Sequence, residues 1–281
     1  MFALQEDQRF ARQPQQSAAH AVFLHENPDP EYLVEIHTLG RFGVKRLEQP
    51  LVFPVARQQR ALELLQALIA FGGRDVSIEL LCQALWPDAD GDTAKNTFDV
   101  TLHRLRKFLE ARDILLLREG HLTLNSKLAW VDVWALEKLV NHCRPLLRQT
   151  VKPAIARELT DCSEHIQFLY QGAFLSREPV RPWAISQRER LRSKVLIHLI
   201  DAGQAWETLG NAENAIRCYH GGLEIEPLAE ELYQKLIRCY RDNKRIAEAM
   251  ATFNRCKQVL AEQLQISPAP ATLDLYVTLR S

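Results

Sequence analysis

The chain has 281 residues, of which 47% are hydrophobic and 25% are charged, and this length suffices for two ordinary domains. Its 35 basic and 35 acidic residues give a formal net charge of +0, which excludes a polycation but permits local basic faces. No apolar run is long enough to span a membrane, and the six cysteines have no metal-binding spacing. We therefore expect a cytoplasmic protein with reduced thiols, without cofactor or metal.

The N-terminal segment changes character near residue 31. Residues 1–30 show no sustained strand or helix period, so we expect a flexible tail or a linker. If they form a linker, the chain is part of a longer protein. Residues 31–54, beginning "EYLVEIHTLGRFGV", alternate apolar and polar side chains and predict short antiparallel strands.

Two helices are predicted next. From Arg57 onward, leucines recur at helical spacing until Gly72-Gly73, which indicate a C-cap. Ser77 is placed to cap a short second helix, which ends before Trp86-Pro87.

A third helix and a hairpin complete the N-terminal half. The stretch "NTFDVTLHRLRKFLEAR" predicts a helix over residues 93–112. The segment "ILLLREGHLTLN" then predicts two strands around a Glu119-Gly120 turn. A small sheet, three helices and a β-hairpin wing, in this order, indicate a winged helix-turn-helix DNA-binding domain over residues 31–130.

The third helix has an apolar side and a polar side. Phe98, Leu102, Leu105 and Leu109 fall within one narrow arc and predict the buried stripe. Composition alone favours an ordinary solvated face opposite this stripe. Its position as the third helix favours recognition of the DNA major groove instead.

Each candidate DNA contact has a chemical reason. The guanidinium of Arg104 can donate two hydrogen bonds to the O6 and N7 atoms of guanine. Asn96 can pair with adenine, and Val100 can touch a thymine methyl group. Arg106 and Lys107 suit phosphates, which position the protein without specifying sequence. The full set of candidates is Arg57 and Arg60 on the first helix, Asn96, Thr97, Asp99, Val100, His103, Arg104, Arg106 and Lys107 on the third, and Arg118 and His121 at the hairpin tip.

The second half, residues 131–281, is predicted to be all-α, with a tetratricopeptide-like repeat. Ala215 and Tyr219 recur in type 34 residues later as Ala249 and Phe253. Lys244 stands where the first copy has a glycine, and we expect the neighbouring Asn243 to take the left-handed turn. A generic array of helical hairpins remains the alternative.

Several segments together resemble a known family. The stretch "FDVTLHRLRKFL" resembles the recognition helix of OmpR/PhoB-type winged-helix domains. The segments "YLVEIHTLGRFGV", "LLCQALWPD", "VDVWALEKLV", "EPLAEELYQKLIRCY" and "LQISPAPATLDLY" are similar to a narrower group. In these SARP-type regulators, the winged helix is joined to a bacterial transcriptional activator domain. The resemblance covers about residues 32–280.

This resemblance implies a sequence-specific transcription regulator, an activator that is cytoplasmic and nucleoid-associated. It implies binding to direct repeats of double-stranded DNA by two or more protomers, with the helical domain serving oligomerisation or regulation. It also implies that the loop before the third helix contacts RNA polymerase, through Asp88 and Asp90, while Asp92 stabilises the helix N-terminus. No receiver domain precedes the winged helix in this chain, and no P-loop occurs.

No catalytic motif is found, so we expect no enzyme. The main alternative is a tetratricopeptide-type adaptor whose winged helix does not bind DNA. That alternative predicts that the basic side chains of the third helix are occluded or paired with Asp99 and Glu110. A weaker alternative is a small-molecule pocket lined by Trp183, Trp206, Tyr219 and Tyr240.

Overall fold

A computed structural model of the chain describes residues 32–51, 59–147 and 153–280. The predicted tail over residues 1–30 and the candidate Arg57 lie outside these ranges. The described residues belong to the compact unit Glu31–Ser281. In sequence order they form a small sheet, a winged helix-turn-helix and an array of helices, so the predicted mostly α fold class is confirmed.

The first sheet has four strands in the order β3-β2-β1-β7. The antiparallel meander of β1 (Val34–His37), β2 (Gly43–Arg46) and β3 (Gln49–Pro50) confirms the predicted strands. The strand β7 (Ala129–Val131) returns after the wing and pairs with β1 in parallel. Val34 and Ile36 are fully buried, as their alternation predicts.

Three helices and the wing follow the meander. They are α1 (Gln59–Ala70), α2 (Ile78–Leu85) and α3 (Gly91–Leu109), then β5 (Leu115–Arg118) and β6 (His121–Leu124). The short strand β4 (Val76–Ser77) adds to β6 and makes a second sheet of order β4-β6-β5.

The predicted ends of α1 and α2 are confirmed. Gly72 and Gly73 both have positive φ, and the Gly73 N–H donates to the Leu68 carbonyl at 2.8 Å, closing the C-terminus of α1. The Ser77 hydroxyl accepts a bond from the Leu80 N–H at 3.1 Å, and α2 ends directly before Trp86.

From Asp132 onward, the described residues form helices joined by loops. Its helices are α4 (Asp132–Leu147), α5 (Pro153–Leu169), α6 (Pro182–Thr208), α7 (Ala212–Ile225), α8 (Glu230–Asp242), α9 (Ile246–Leu264) and α10 (Pro270–Arg280). The pairs α6–α7 and α8–α9 hold the predicted repeat. Ala215 and Ala249 are fully buried, and Tyr219 and Phe253 are buried beside them in one core.

The turn in the second repeat corrects one prediction. Asn243 has φ −94°, so it does not take the left-handed conformation that we expected. Lys244 takes it instead, with φ 64°, at the place where Gly210 has φ 72° in the first repeat. The repeat therefore preserves the backbone turn and accepts the steric cost of a side chain there.

A buried carboxylate joins the first sheet to the helical half. Asp132, the first residue of α4, accepts bonds from the backbone N–H groups of Thr38 and Leu39, at 2.5 and 2.7 Å. The Thr38 hydroxyl and the Val133 N–H donate to its other oxygen, at 2.6 and 2.8 Å. Burial raises the pKa of Asp132, while the bonds from Thr38 and Leu39 oppose that rise. Four donors thus compensate a carboxylate that is 3% exposed.

Two further contacts join the same halves. Leu39 forms an antiparallel bridge with Phe174, and the Leu175 N–H donates to the Thr38 carbonyl at 2.7 Å. On α1, the buried Glu63 carboxylate binds Arg181, which precedes α6. The loop between α5 and α6 is thereby fixed to both the sheet and the first helix.

The approach of α6 and α7 gives a stability prediction. A Cβ atom on Gly203 would lie 2.3 Å from the Tyr219 ring, which is fully buried. We expect Gly203→Ala to lower the free energy of unfolding by about 1–3 kcal/mol through overpacking. Urea unfolding measures this, with Gly91→Ala as the control, because a Cβ on Gly91 meets nothing within 4 Å. Unchanged stability of Gly203→Ala would contradict the packing.

A buried histidine gives a pH prediction. The Ser163 hydroxyl donates to the Leu159 carbonyl and accepts from His198 Nε2 at 3.0 Å, while His198 Nδ1 is buried without a partner. Burial lowers the pKa of His198 to about 4. Between this value and the ordinary pKa near 6.5, only the unfolded chain binds the proton. The free energy of unfolding therefore decreases as the pH is lowered through that window.

We expect the free energy of unfolding to decrease by about 2 kcal/mol, through His198, when the pH is lowered from 7 to 5. Urea titrations at both values measure it, and His198→Gln should remove most of this pH dependence. An equal loss in the variant and the parent would refute the assignment to His198.

Candidate nucleic-acid interface

The candidate interface is built on α3, which has 19 residues. The Asp90 carboxylate caps it, accepting the Thr93 N–H at 2.9 Å and the Thr93 hydroxyl at 2.8 Å. Glu110, in the left-handed conformation, ends it. The helix therefore begins two residues earlier than the predicted start at residue 93, and it ends three residues earlier than the predicted end at residue 112.

The apolar side of α3 is packed as predicted. Phe98, Leu105 and Leu109 are fully buried and Leu102 is 2% exposed. The helix is thereby fixed about its own axis, because turning it would bring these side chains into water at a cost of about 1.5–3 kcal/mol each.

The opposite side of α3 is exposed. It carries the candidates Asn96, Asp99, Val100, His103, Arg104 and Lys107, while Thr97 is half-buried and its hydroxyl donates to the Thr93 carbonyl. Val100 is 51% exposed, although it is apolar and lies on a polar face. An apolar side chain held in water there is suited to a contact outside the chain.

The charged groups of this face lack partners. Within the described parts of the chain, the side chains of Arg104, Lys107 and Asp99 form no hydrogen bond and no ion pair. Glu110 pairs with Arg46 at 2.6 Å, rather than with a basic residue of α3. The occlusion or pairing that the adaptor alternative requires is therefore absent at Arg104 and Lys107 in the described structure.

Arg106 differs from its neighbours. Its guanidinium is half-buried and donates from Nη2 to the Leu115 carbonyl, on the first wing strand, at 2.7 Å. Its Nε is buried without a partner. Arg106 therefore has a structural partner that the sequence pattern did not indicate.

The wing tip lies beside the first part of α3. Glu119 and Gly120 both have positive φ and form the predicted two-residue turn. The Gly120 carbonyl accepts the Ile78 N–H at 2.8 Å, and His121 Nδ1 lies 2.9 Å from the Glu119 carbonyl. Arg118 lies opposite His121 in the register of β5 and β6, and it is exposed.

An open groove of about 880 Å³ separates the wing tip from α3. Lys95 on α3 and His121 on the wing both line it, with Gln83 of α2. Lys95 is exposed and was not among the predicted contacts. It lies on the side of α3 that faces the wing. The sequence of the helix alone does not indicate which side that is.

Arg60 is placed elsewhere. Its guanidinium donates to Glu63 at 2.7 Å, and it lines a cleft of about 530 Å³ with Trp183 and Asp88. The structure therefore does not place Arg60 in the groove that α3 and the wing tip line.

Three acidic residues lie at or near the start of α3. The sequence-based prediction assigns helix stabilisation to Asp92 and a polymerase contact to Asp90, yet Asp90 is the residue that caps α3. Its bonds from the Thr93 N–H and hydroxyl lower the pKa of Asp90. Asp92 lies in the first turn, where a negative charge is also favourable. Asp88 is exposed on the loop.

The four aromatic residues of the pocket alternative lie in two different places. Trp206, Tyr219 and Tyr240 are part of the packed core of the helical half, whereas Trp183 lines the separate cleft beside Arg60. In the described ranges, no three metal-ligating side chains cluster and no helix is long and apolar enough to cross a membrane.

This geometry is that of a winged helix followed by a tetratricopeptide-like array, the class of a DNA-binding regulator. Family models match both parts. Residues 131–280 match the bacterial transcriptional activator domain, and residues 54–119 match the C-terminal domain of transcriptional regulatory proteins. The first match covers more than half of the chain. The chain therefore belongs to the bacterial transcriptional activator domain family of SARP-type transcription regulators.

Curated relatives agree with this membership. The chain is 27% identical to the regulatory protein AfsR of Streptomyces griseus, across 78% of this chain and 22% of AfsR. It is 26% identical to the transcriptional regulatory protein MoaR1 of Mycobacterium tuberculosis, across 86% of this chain and 78% of MoaR1. The chain thus spans about a fifth of the length of AfsR.

A solved structure has the same fold. Mycobacterium tuberculosis EmbR, in complex with a low affinity phosphopeptide, superposes with a TM-score of 0.62 at 21% identity. The match covers 89% of this chain and 65% of that chain. The families matched here are transcription regulators rather than enzymes.

Proposed function

We propose that the chain binds a specific double-stranded DNA site and activates transcription, with α3 in the major groove. The observation that carries this proposal is the exposed face of α3, where Arg104 and Lys107 have no partner within the described structure. Unpaired cations beside an exposed apolar side chain suit a surface of phosphates and base edges.

The dimensions of α3 suit this role. Its 19 residues span about 28 Å, and the major groove is about 12 Å wide, enough to admit a helix. Asn96, Val100 and Arg104 follow one another at intervals of four residues along the exposed face. They are our candidates for base contacts, together with His103, Thr97 and Asp99. Lys107 and Arg118 are the candidates for phosphates.

The adaptor alternative is less well supported. It relies on an occluded or internally paired third helix, whereas most of the polar face of α3 is exposed. A neutral net charge does not favour it either, because DNA responds to the local charge of the face that approaches it.

The remaining partners follow from family membership and stay proposals. We propose that two or more protomers bind direct repeats, with the helical half serving oligomerisation or regulation. Asp88 on the loop before α3 is the candidate contact with RNA polymerase, whereas Asp90 is used in capping. The cytoplasm, at the nucleoid, is the location in which such a regulator works.

Arg104→Ala and Lys107→Ala separate base reading from phosphate binding. We expect Arg104→Ala to weaken binding to a selected site by about 1–3 kcal/mol and to relax the preference at one base pair. Lys107→Ala should weaken binding to every sequence about equally and lower the salt slope by about 1. Fluorescence anisotropy against the selected and a scrambled duplex, at several salt concentrations, measures both.

The control for these variants is Lys257→Ala, an exposed cation on α9 of the helical half. It should bind both duplexes like the parent chain. If the two α3 variants also bind both duplexes like the parent, the assigned face is wrong.

Asp88→Asn tests the polymerase contact. We expect transcription from a promoter with the selected site to fall about fivefold, equal to about 1 kcal/mol of lost contact, without a change in DNA affinity. Glu48→Gln, at the exposed β2–β3 turn, is the matched control for loss of one acidic charge. Equal transcription from Asp88→Asn and the control would exclude a contact through Asp88.

A further inference from the structure

We propose that Arg106 is a positioning residue that holds the wing against the recognition helix, and that it supports DNA binding through Arg118 rather than by touching a phosphate. The inference rests on the proposed function for its effect on DNA. Its structural part concerns only α3 and the wing.

The strand register shows why the Leu115 carbonyl needs a partner. Leu115 pairs with Leu124, and the Asn125 N–H donates to the Ile114 carbonyl at 2.8 Å. In an antiparallel pair, hydrogen-bonded and non-hydrogen-bonded residue pairs alternate, so Leu115 turns its backbone groups away from β6. Among the described residues no strand lies on that side, because β5 is at the edge of the sheet of order β4-β6-β5.

Arg106 occupies this open edge. Leu115 is fully buried, so its outward carbonyl is shielded from water and depends on the 2.7 Å bond from Arg106. A charged donor makes a stronger bond to a carbonyl than a neutral donor does. The bond therefore fastens the last turns of α3 to the first residue of the wing.

The connection between α3 and β5 is short, so a bond between them affects where the wing lies. Only Glu110, Ala111 and the 3-10 turn Arg112–Ile114 separate α3 from β5. At its far end the hairpin is held by β4 and by the Ile78 N–H, which are not part of α3. Arg106 thus ties the wing to the recognition helix itself through a hydrogen bond.

The placement of Arg118 links this bond to DNA. Arg118 is the last residue of β5, three residues beyond Leu115, and it is exposed at the wing tip. Its position relative to α3 depends on the strand that Arg106 holds. Arg106 itself offers little to a phosphate, because it is half-buried and its Nε is enclosed.

The first test uses the full chain without DNA. We expect Arg106→Gln to accelerate amide hydrogen exchange at Leu116 and Arg118, whose N–H groups bond across the hairpin, by about tenfold. Arg106→Lys should restore part of the protection because it keeps a charged donor. Arg112→Gln is the matched control, since Arg112 is exposed and has no hydrogen bond or ion pair among the described residues. Exchange in Arg106→Gln equal to that of the control would overturn the structural part.

The second test measures DNA binding in a double-mutant cycle. We expect Arg118→Ala to weaken binding about fivefold in the parent chain and less than about twofold in Arg106→Gln, because the wing is already displaced. Arg106→Gln and Arg118→Ala should each lower the salt slope by about 0.9, because both lose the phosphate contact of Arg118, and the double variant should lower it no further.

Each result decides one part. If the losses of affinity, or the two reductions of the salt slope, add in the double variant, the claim that Arg106 acts through the wing is overturned. An Arg118→Ala variant that binds like the parent would overturn the route through Arg118, while the exchange test still decides whether Arg106 holds the wing. If the parent chain binds no DNA sequence specifically, the proposed function itself is refuted.

Discussion

Burial of one apolar stripe on α3 is the constraint on which the candidate interface depends. Phe98, Leu102, Leu105 and Leu109 leave the helix a single rotational setting, and the residues between them are then directed outward. The same burial carries the C-terminus of α3 to the place where Arg106 meets the wing. The base-reading and phosphate-binding candidates are thus positioned by groups that never touch DNA.

The junction with the helical half follows a different physical rule. A buried carboxylate is costly unless its oxygens are satisfied, and Asp132 satisfies both with backbone and hydroxyl donors from Thr38 and Leu39. Removal of the Asp132 carboxylate would leave the Thr38 and Leu39 donors without their partner in a buried place. Polar contacts of this kind fix orientation more sharply than apolar packing, which tolerates small rotations.

Much of this could be predicted from the sequence, because periodicity and turn chemistry are local. The stripe of α3, the Ser77 cap and the Glu119-Gly120 turn each depend on residues within one element. The Asp90 cap is equally local, because it depends on Thr93, three residues along the chain. The positions of Arg106 and Lys95 could not be predicted, for the opposite reason. Their roles depend on a partner or surface placed by the three-dimensional fold, such as the Leu115 carbonyl or the wing-tip groove.

The left-handed turn was also misplaced, since Lys244 rather than Asn243 adopts it. Side-chain preference favours asparagine there, but the hairpin geometry of the repeat determines which position must turn. Neighbouring helices must meet at the same angle in every copy, and this tertiary demand overrides a local preference. The domain boundaries predicted at residues 30 and 130 stay predictions.

The two halves are joined at Asp132 with Thr38 and Leu39, at Leu39 with Phe174, and at Glu63 with Arg181, so the segment after β1 and helix α1 both take part. Contacts from two separate elements restrict the pivoting of one half against the other. The direction in which α3 faces is therefore set relative to the helical array by the fold, and not by the chain connection alone.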